Sequence, residues 1–146
     1  MKRLLLVLLL LIVTVSMCVN IPPEAEPFNN ISNFTQENLS EMYLEIPGDG
    51  EIPRDVCEAK GMAGRVFAIH KRGCPACAIA VPLVEGLAKE MGKDMESLDV
   101  AEEGARVRVL DELKIVPYMV PTIIIDCTIL VGVKEESVYR SLLERV

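Results

Sequence analysis

The chain has 146 residues, of which 15 are Lys or Arg, 22 are Asp or Glu and one is His, giving a net charge of −7. At about 100–200 residues per domain this allows one small domain and a tail, and an acidic balance without clustered Lys and Arg excludes a protein built to grip nucleic acid. Five cysteines, an odd number, have to be accounted for one by one.

Met1-Lys2-Arg3 followed by the apolar run Leu4–Val19 has the form of a positive n-region and an h-region. As a helix the run would measure about 24 Å, short of a hydrocarbon core of about 30 Å. This fits a signal peptide over residues 1–19, and extension to Ile21 leaves an uncleaved anchor open. Cys18 closes the run where lipoproteins carry an acylated cysteine, although Met17 stands where a small residue is usual. Cys18 is therefore either a lipidation site or a plain thiol. On each reading the rest of the chain is expected to be extracytoplasmic, where disulfides persist, and with Cys18 lipidated or the leader uncleaved it is expected to be tethered to the membrane.

Residues 20–53 hold five of the nine prolines, and residues 19–53 hold seven acids with no Lys or Arg. No apolar period persists, so the segment reads as an extended acidic tether, with Met42–Ile46 as a short edge strand. Three sequons, at Asn30, Asn33 and Asn38, stand on it as glycosylation candidates.

The domain is expected over 54–146. Pro53–Gly61 predicts a short helix, Arg65–His70 a strand, and Cys74–Met91 a helix stopped by Gly92, with Ala80, Leu83, Val84, Leu87 and Met91 as its apolar stripe and Pro82 inside it. Ser97–Ala101 follows as a strand and Glu102–Lys114 as a helix. Thr122–Asp126 and Ile129–Val133 are too close in sequence to be anything but an antiparallel hairpin. Glu135–Arg145 closes the chain as a helix that buries Val138 and Leu142. This α-β-α-β-α-β-β-α order predicts an α/β fold: a mixed four-stranded sheet with helices on both faces.

Gly73-Cys74-Pro75-Ala76-Cys77 falls at a strand-to-helix junction. Two cysteines at i and i+3 reach each other within one turn, and the first sits where unpaired N–H groups and the helix dipole favour a thiolate. Pro75 fits the first helical position, where its missing N–H costs nothing. Lys71 and Arg72 add positive charge just upstream.

Cys74-Pro75-Ala76-Cys77, Pro82 five residues later in the same helix, and Val120-Pro121-Thr122 opening a strand together resemble the thioredoxin superfamily, over about residues 63–146. The resemblance implies a thioredoxin-like fold and thiol–disulfide exchange. Cys74 would be the nucleophile and Cys77 the resolving thiol. Pro121 would be cis, letting the backbone at Val120 pair with a substrate chain. The chain departs from thioredoxins at Gly73, where they carry Trp, and at Ala68, six residues before the first Cys, where they carry a buried Asp. Asp99 or a water is a candidate substitute for that acid. His70, four residues before Cys74, is either a solvated end-of-strand side chain or an aid to thiolate formation.

Cys57 and Cys127 remain. The 65–70 strand runs toward the active site and the strand from Pro121 runs away from it, so Cys127 and Cys57 both belong to the far pole. A Cys57–Cys127 disulfide is therefore expected, closing a loop of about 70 residues. The two cysteine pairs would stand about 20 Å apart, one strand length, which argues against a zinc site made from all four.

The expected function is that of an extracytoplasmic thiol–disulfide oxidoreductase. It would exchange with thiols or disulfides of other exported proteins, need no metal or organic cofactor, and depend on a redox partner to regenerate the pair. Two alternatives use the same residues. One is a soft-metal module or copper metallochaperone binding at Cys74 and Cys77, although Arg72 stands where copper carriers usually place Met. The other is an interaction domain that keeps the pair as a structural disulfide.

Overall fold

The computed structural model describes residues 36–146. The leader, Cys18, Asn30 and Asn33 lie outside the described residues; Asn38 lies within them, exposed on the first helix. The elements in chain order are α1 (Gln36–Glu41), β1 (Leu44–Ile46), β2 (Gly50–Glu51), α2 (Arg54–Ala59), β3 (Val66–His70), α3 (Pro75–Glu90), β4 (Met95–Asp99), α4 (Glu103–Val107), β5 (Ile115–Pro117), β6 (Thr122–Ile125), β7 (Thr128–Val131) and α5 (Glu136–Leu143). Among the described residues no helix is long and apolar enough to cross a membrane.

Five strands form one mixed sheet in the order β2-β7-β6-β3-β4. β3 and β4 are parallel, while β3–β6, β6–β7 and β2–β7 are antiparallel. Alternation along β3 divides the core. Phe67 and Ile69 face a cluster with Val56, Cys57, Met62, Val109, Leu113 and Ile124. Val66 and Ala68 face the other, with Val84, Leu87, Ile123, Tyr139 and Leu143 from β6, α3 and α5. Both faces of β3 are thus closed by apolar side chains, as a central strand without alternating polarity requires.

The expected sheet of four strands is corrected to five, and the expected tether is corrected over 36–53. Leu39, Ile46 and Ile52 from this stretch are buried in the core. β1 pairs in parallel with β5 as a separate two-stranded sheet, and β2 extends the main sheet along β7. Burying three apolar side chains offsets the entropy of ordering a short arm in a way its acids and prolines conceal. Lys60, itself buried, fastens the arm: its ammonium donates to the carbonyls of Ser40 (3.1 Å) and Met42 (2.5 Å). Burial pushes the Lys60 pKa down.

Other boundaries shift for local reasons. β4 starts at Met95, two residues before the expected strand, soon after Gly92 ends α3 at φ 68°. The expected helix over Glu102–Lys114 is α4 followed by a π-helical turn, Arg108–Glu112, closed by Leu113 N–H to the Arg108 carbonyl at 2.9 Å. On α5 Val138 stays exposed, and Tyr139 is buried in its place, its hydroxyl donating to the Gly132 carbonyl and accepting from Lys134 N–H.

Candidate functional site

β3 delivers the chain to a turn in which Gly73 adopts φ 81°. This is left-handed backbone, open to glycine and strained for the Trp that thioredoxins place there. Cys74 then caps α3 with extended backbone, and Pro75 fills the first helical position. The Cys77 N–H donates to Cys74 Sγ at 3.1 Å. One of the helix's orphan donors thus points at the first sulfur, where it and the dipole favour negative charge.

The structure joins Cys74 to Cys77, with Cα atoms 5.2 Å apart. The two sulfurs differ in access. Cys77 is 5% exposed, whereas Cys74 is half-buried. His70, Gly73, Cys74, Cys77, Val81 and Pro82 line a shallow cavity of about 270 Å³. Facing Cys74 is the Val120–Pro121 peptide, which is cis, with the Val120 carbonyl oxygen 3.7 Å from Cys74 Sγ. Thr122 Oγ1 donates to the Met119 carbonyl at 2.7 Å, and Gly132 N–H to the Pro121 carbonyl at 2.8 Å, so the loop is tied at both ends.

Ala68 is wholly buried on the face toward α3, so an apolar group occupies the place of the missing acid. Asp99, the candidate substitute, has other work. Its carboxylate accepts the N–H groups of Ala101 (3.0 Å) and Arg72 (3.2 Å), binding the end of β4 to the turn before Cys74. Those hydrogen bonds, the Ala101 N–H first, hold it below the usual carboxylate range. It is a turn-maker that stays charged at neutral pH, unsuited to carrying a proton to and from Cys77. His70 bonds Ser97 Oγ at 2.9 Å across the strand pair.

At the far pole Cys57 and Cys127 are joined, Cα atoms 5.8 Å apart, across 70 residues of sequence. Cys57 has no exposure, and its Sγ lies 3.4 Å from the Asp126 carbonyl. Cys127 is half-buried with the Arg54 guanidinium 3.7 Å from its Sγ. Among the described residues no three His, Cys, Asp or Glu side chains converge as a ligand set.

Several residues near the site escape sequence reasoning. Tyr118 and Met119, just before Val120, are 58% and 54% exposed. The Tyr118 hydroxyl donates to Glu45 at 2.6 Å. Asp49 accepts from Val131 N–H and pairs with Lys134, each at 2.7 Å. The available signal was an aromatic and a Met immediately ahead of Val-Pro-Thr, in a chain with few aromatics.

Asp49 supports a pH prediction. The Lys134 hydrogen bond first, then the Val131 N–H, hold its carboxyl below the ordinary carboxylate value. A pKa depressed by folding stabilises fully above the unfolded value, about 3.9 for Asp, and that stabilisation is lost as pH falls through the folded value. Urea midpoints measured at pH 7 and pH 3 should therefore drop less in Asp49→Asn than in the wild type. Equal drops would place the acid sensitivity elsewhere.

No family model matches the sequence, and no curated protein matches it. Among solved structures the chain is similar to a crystal structure of a mutant of the thioredoxin-like protein BC3987. The identity is 27%, over 55% of this chain and 95% of that one, with a TM-score of 0.38. The chain's own topology is plainer: β3–α3–β4, then the β6–β7 hairpin and α5, with helices on both faces of the mixed sheet, is a thioredoxin-like fold.

Proposed function

We propose that the protein is a thiol–disulfide oxidoreductase acting through Cys74 and Cys77. The observation that carries this reading is the asymmetry of the pair: one sulfur reachable and facing a helix N–H, the other buried beneath it. In the reducing direction the Cys74 thiolate attacks a substrate disulfide. The substrate S–S bond breaks, a mixed disulfide forms on Cys74, and one substrate thiolate leaves. Cys77, having lost its proton, attacks Cys74 Sγ and releases the second substrate thiolate. Two electrons pass to the substrate, and the enzyme is left with the Cys74–Cys77 disulfide. The oxidising direction is the reverse. Val120 and Pro121 form the wall on which a substrate chain would lie. With Ala68 apolar and Asp99 engaged, neither side chain takes the Cys77 proton, which passes to the substrate thiolate that leaves.

The setting we infer is extracytoplasmic, with the leader as export signal or anchor and Cys18 as a lipid site where the anchor is acyl. The Cys57–Cys127 disulfide supports an oxidising compartment. Substrates would be exported proteins with thiols or disulfides, and a separate redox partner would reset the pair.

Redox titration of the full chain in glutathione buffers, read by alkylation and intact mass, tests the proposal. The expected result is one reversible two-electron transition confined to Cys74 and Cys77. A potential near −270 mV, about that of thioredoxin, would assign a reductant, and one near −120 mV, about that of DsbA, an oxidant. A pair that does not cycle, or that arrives occupied by copper, would overturn the assignment in favour of a binding module.

A further inference from the structure

The arm touches the segment ahead of Pro121 and, behind the proline, the strand β7 that pairs with β6. Ahead of the proline, β1 pairs with β5 and Tyr118 N–H donates to the Ile46 carbonyl at 3.1 Å. The Tyr118 hydroxyl reaches back to Glu45 at 2.6 Å, although its ring is more than half exposed. Behind the proline, Asp49 holds Val131 N–H and Lys134, and the next residue, Gly132, donates to the Pro121 carbonyl. Residues 45–49 thus hold the loop that faces Cys74 directly at Tyr118 and, through β7 and Gly132, indirectly at Pro121. An exposed tyrosine whose hydroxyl is free would sample several rotamers. One tied at both backbone and hydroxyl presents a fixed apolar ledge, and Met119 extends it.

Resting on the oxidoreductase reading, we infer that Glu45 is a positioning residue that fixes Tyr118 as a ledge for polypeptide partners. The preferred partner is an extended segment with an apolar side chain next to its reacting cysteine. A small disulfide needs only the Cys74 sulfur and gains nothing from a ledge two residues beyond Val120. A peptide must also lay its flanking side chain somewhere, and the fixed ring offers that surface without an ordering cost at the moment of binding.

The test compares the full-length wild type with Glu45→Ala, Glu45→Gln and Tyr118→Phe. Two substrates are used: a synthetic peptide disulfide with Leu beside each Cys, and oxidised glutathione. Glu45→Ala and Tyr118→Phe should each raise KM for the peptide roughly three- to tenfold, the range for the net worth of one ordinary hydrogen bond, since solvent at this exposed site screens the carboxylate's charge. The effect on glutathione should be smaller, and kcat should hold. Glu45→Gln, whose amide oxygen still accepts from the phenol, should recover most of the loss. Equal effects on both substrates, a fall in kcat with KM fixed, or no rescue by Gln would overturn the inference. A wild type inert toward both substrates would instead overturn the oxidoreductase reading on which it stands. Urea midpoints of the three variants within the wild-type error exclude general loosening of the arm as the cause.

Discussion

Cys77→Ser is expected to accumulate a mixed disulfide on Cys74, and Cys74→Ser to accumulate none. The difference follows from access. Cys74 is the half-buried sulfur that faces the Val120 carbonyl and the Cys77 N–H, whereas Cys77 is 5% exposed. With Cys77 replaced, an incoming disulfide is still attacked at the same helix terminus, but no second thiol resolves the product. With Cys74 replaced, the remaining thiol is out of reach. Turnover should fall by about three orders of magnitude or more in both variants, since each removes a step that solvent cannot supply. Intact mass after incubation with a disulfide-bonded peptide separates them: the Cys77→Ser protein should carry one peptide equivalent, removed by dithiothreitol. If Cys74→Ser carried the adduct instead, the roles would be reversed.

The second large effect concerns Cys57 and Cys127. Closing 70 residues of chain removes enough denatured-state entropy to stabilise the fold by about 4 kcal/mol, a large share of the 5–15 kcal/mol typical of a domain. Cys57→Ala with Cys127→Ala should lower the urea midpoint by roughly 2–3 M, at a slope of about 1.5 kcal/mol/M. The same bond should resist reduction while the chain is folded. A thiolate can reach Cys127, but attack there must expel Cys57, buried with the Asp126 carbonyl 3.4 Å from its sulfur. Attack at Cys57 would expel the better leaving group, Cys127 beside Arg54, but Cys57 has no exposure. Each route lacks either access or a leaving group. Dithiothreitol without denaturant should therefore reduce the 74–77 pair alone, and with denaturant both. Simultaneous reduction in native buffer, or a midpoint shift under 0.5 M or so, would contradict this account.

How far the sequence carried depended on how local the determining contacts are. The helix carrying the cysteine pair was legible because its cap, its Pro75 and its apolar stripe lie within one segment. The Cys74–Cys77 pair and the cis Val120–Pro121 peptide opposite it were legible because i, i+3 spacing and Val120-Pro121-Thr122 are short patterns. Strand polarity sufficed to bring Cys57 and Cys127 to one pole, where the structure has them joined. Of the arm only the edge strand over Met42–Ile46 was legible, which the structure has as Leu44–Ile46; its docking on the domain was not. Its three buried side chains, Leu39, Ile46 and Ile52, stand among acids and prolines without a period. Its strand partners lie roughly 70 to 80 residues further on, Leu44 on Ile115 and Gly50 on Ile129. β5 was missed for the same reason, since Ile115–Pro117 is a strand only because β1 lies beside it. Asp99 was read as a candidate substitute for the buried acid because a carboxylate's backbone partners, here the Ala101 and Arg72 N–H groups, leave no mark in sequence.

The two-residue strand β2 also decides how the sheet ends. Without it, β7 would present an open row of N–H and C=O groups to any other chain, the usual template for strand addition between molecules. Gly50 and Glu51 pair with Ile129 and Thr128 and occupy part of that row, while Asp49 takes the Val131 N–H. The cover is itself a poor template, being very short, bearing an acid, and followed by Pro53. A chain shortened to residue 54 would keep the four cysteines of both disulfides but leave this border bare, adding a route to self-association to the loss of the buried Leu39, Ile46 and Ile52.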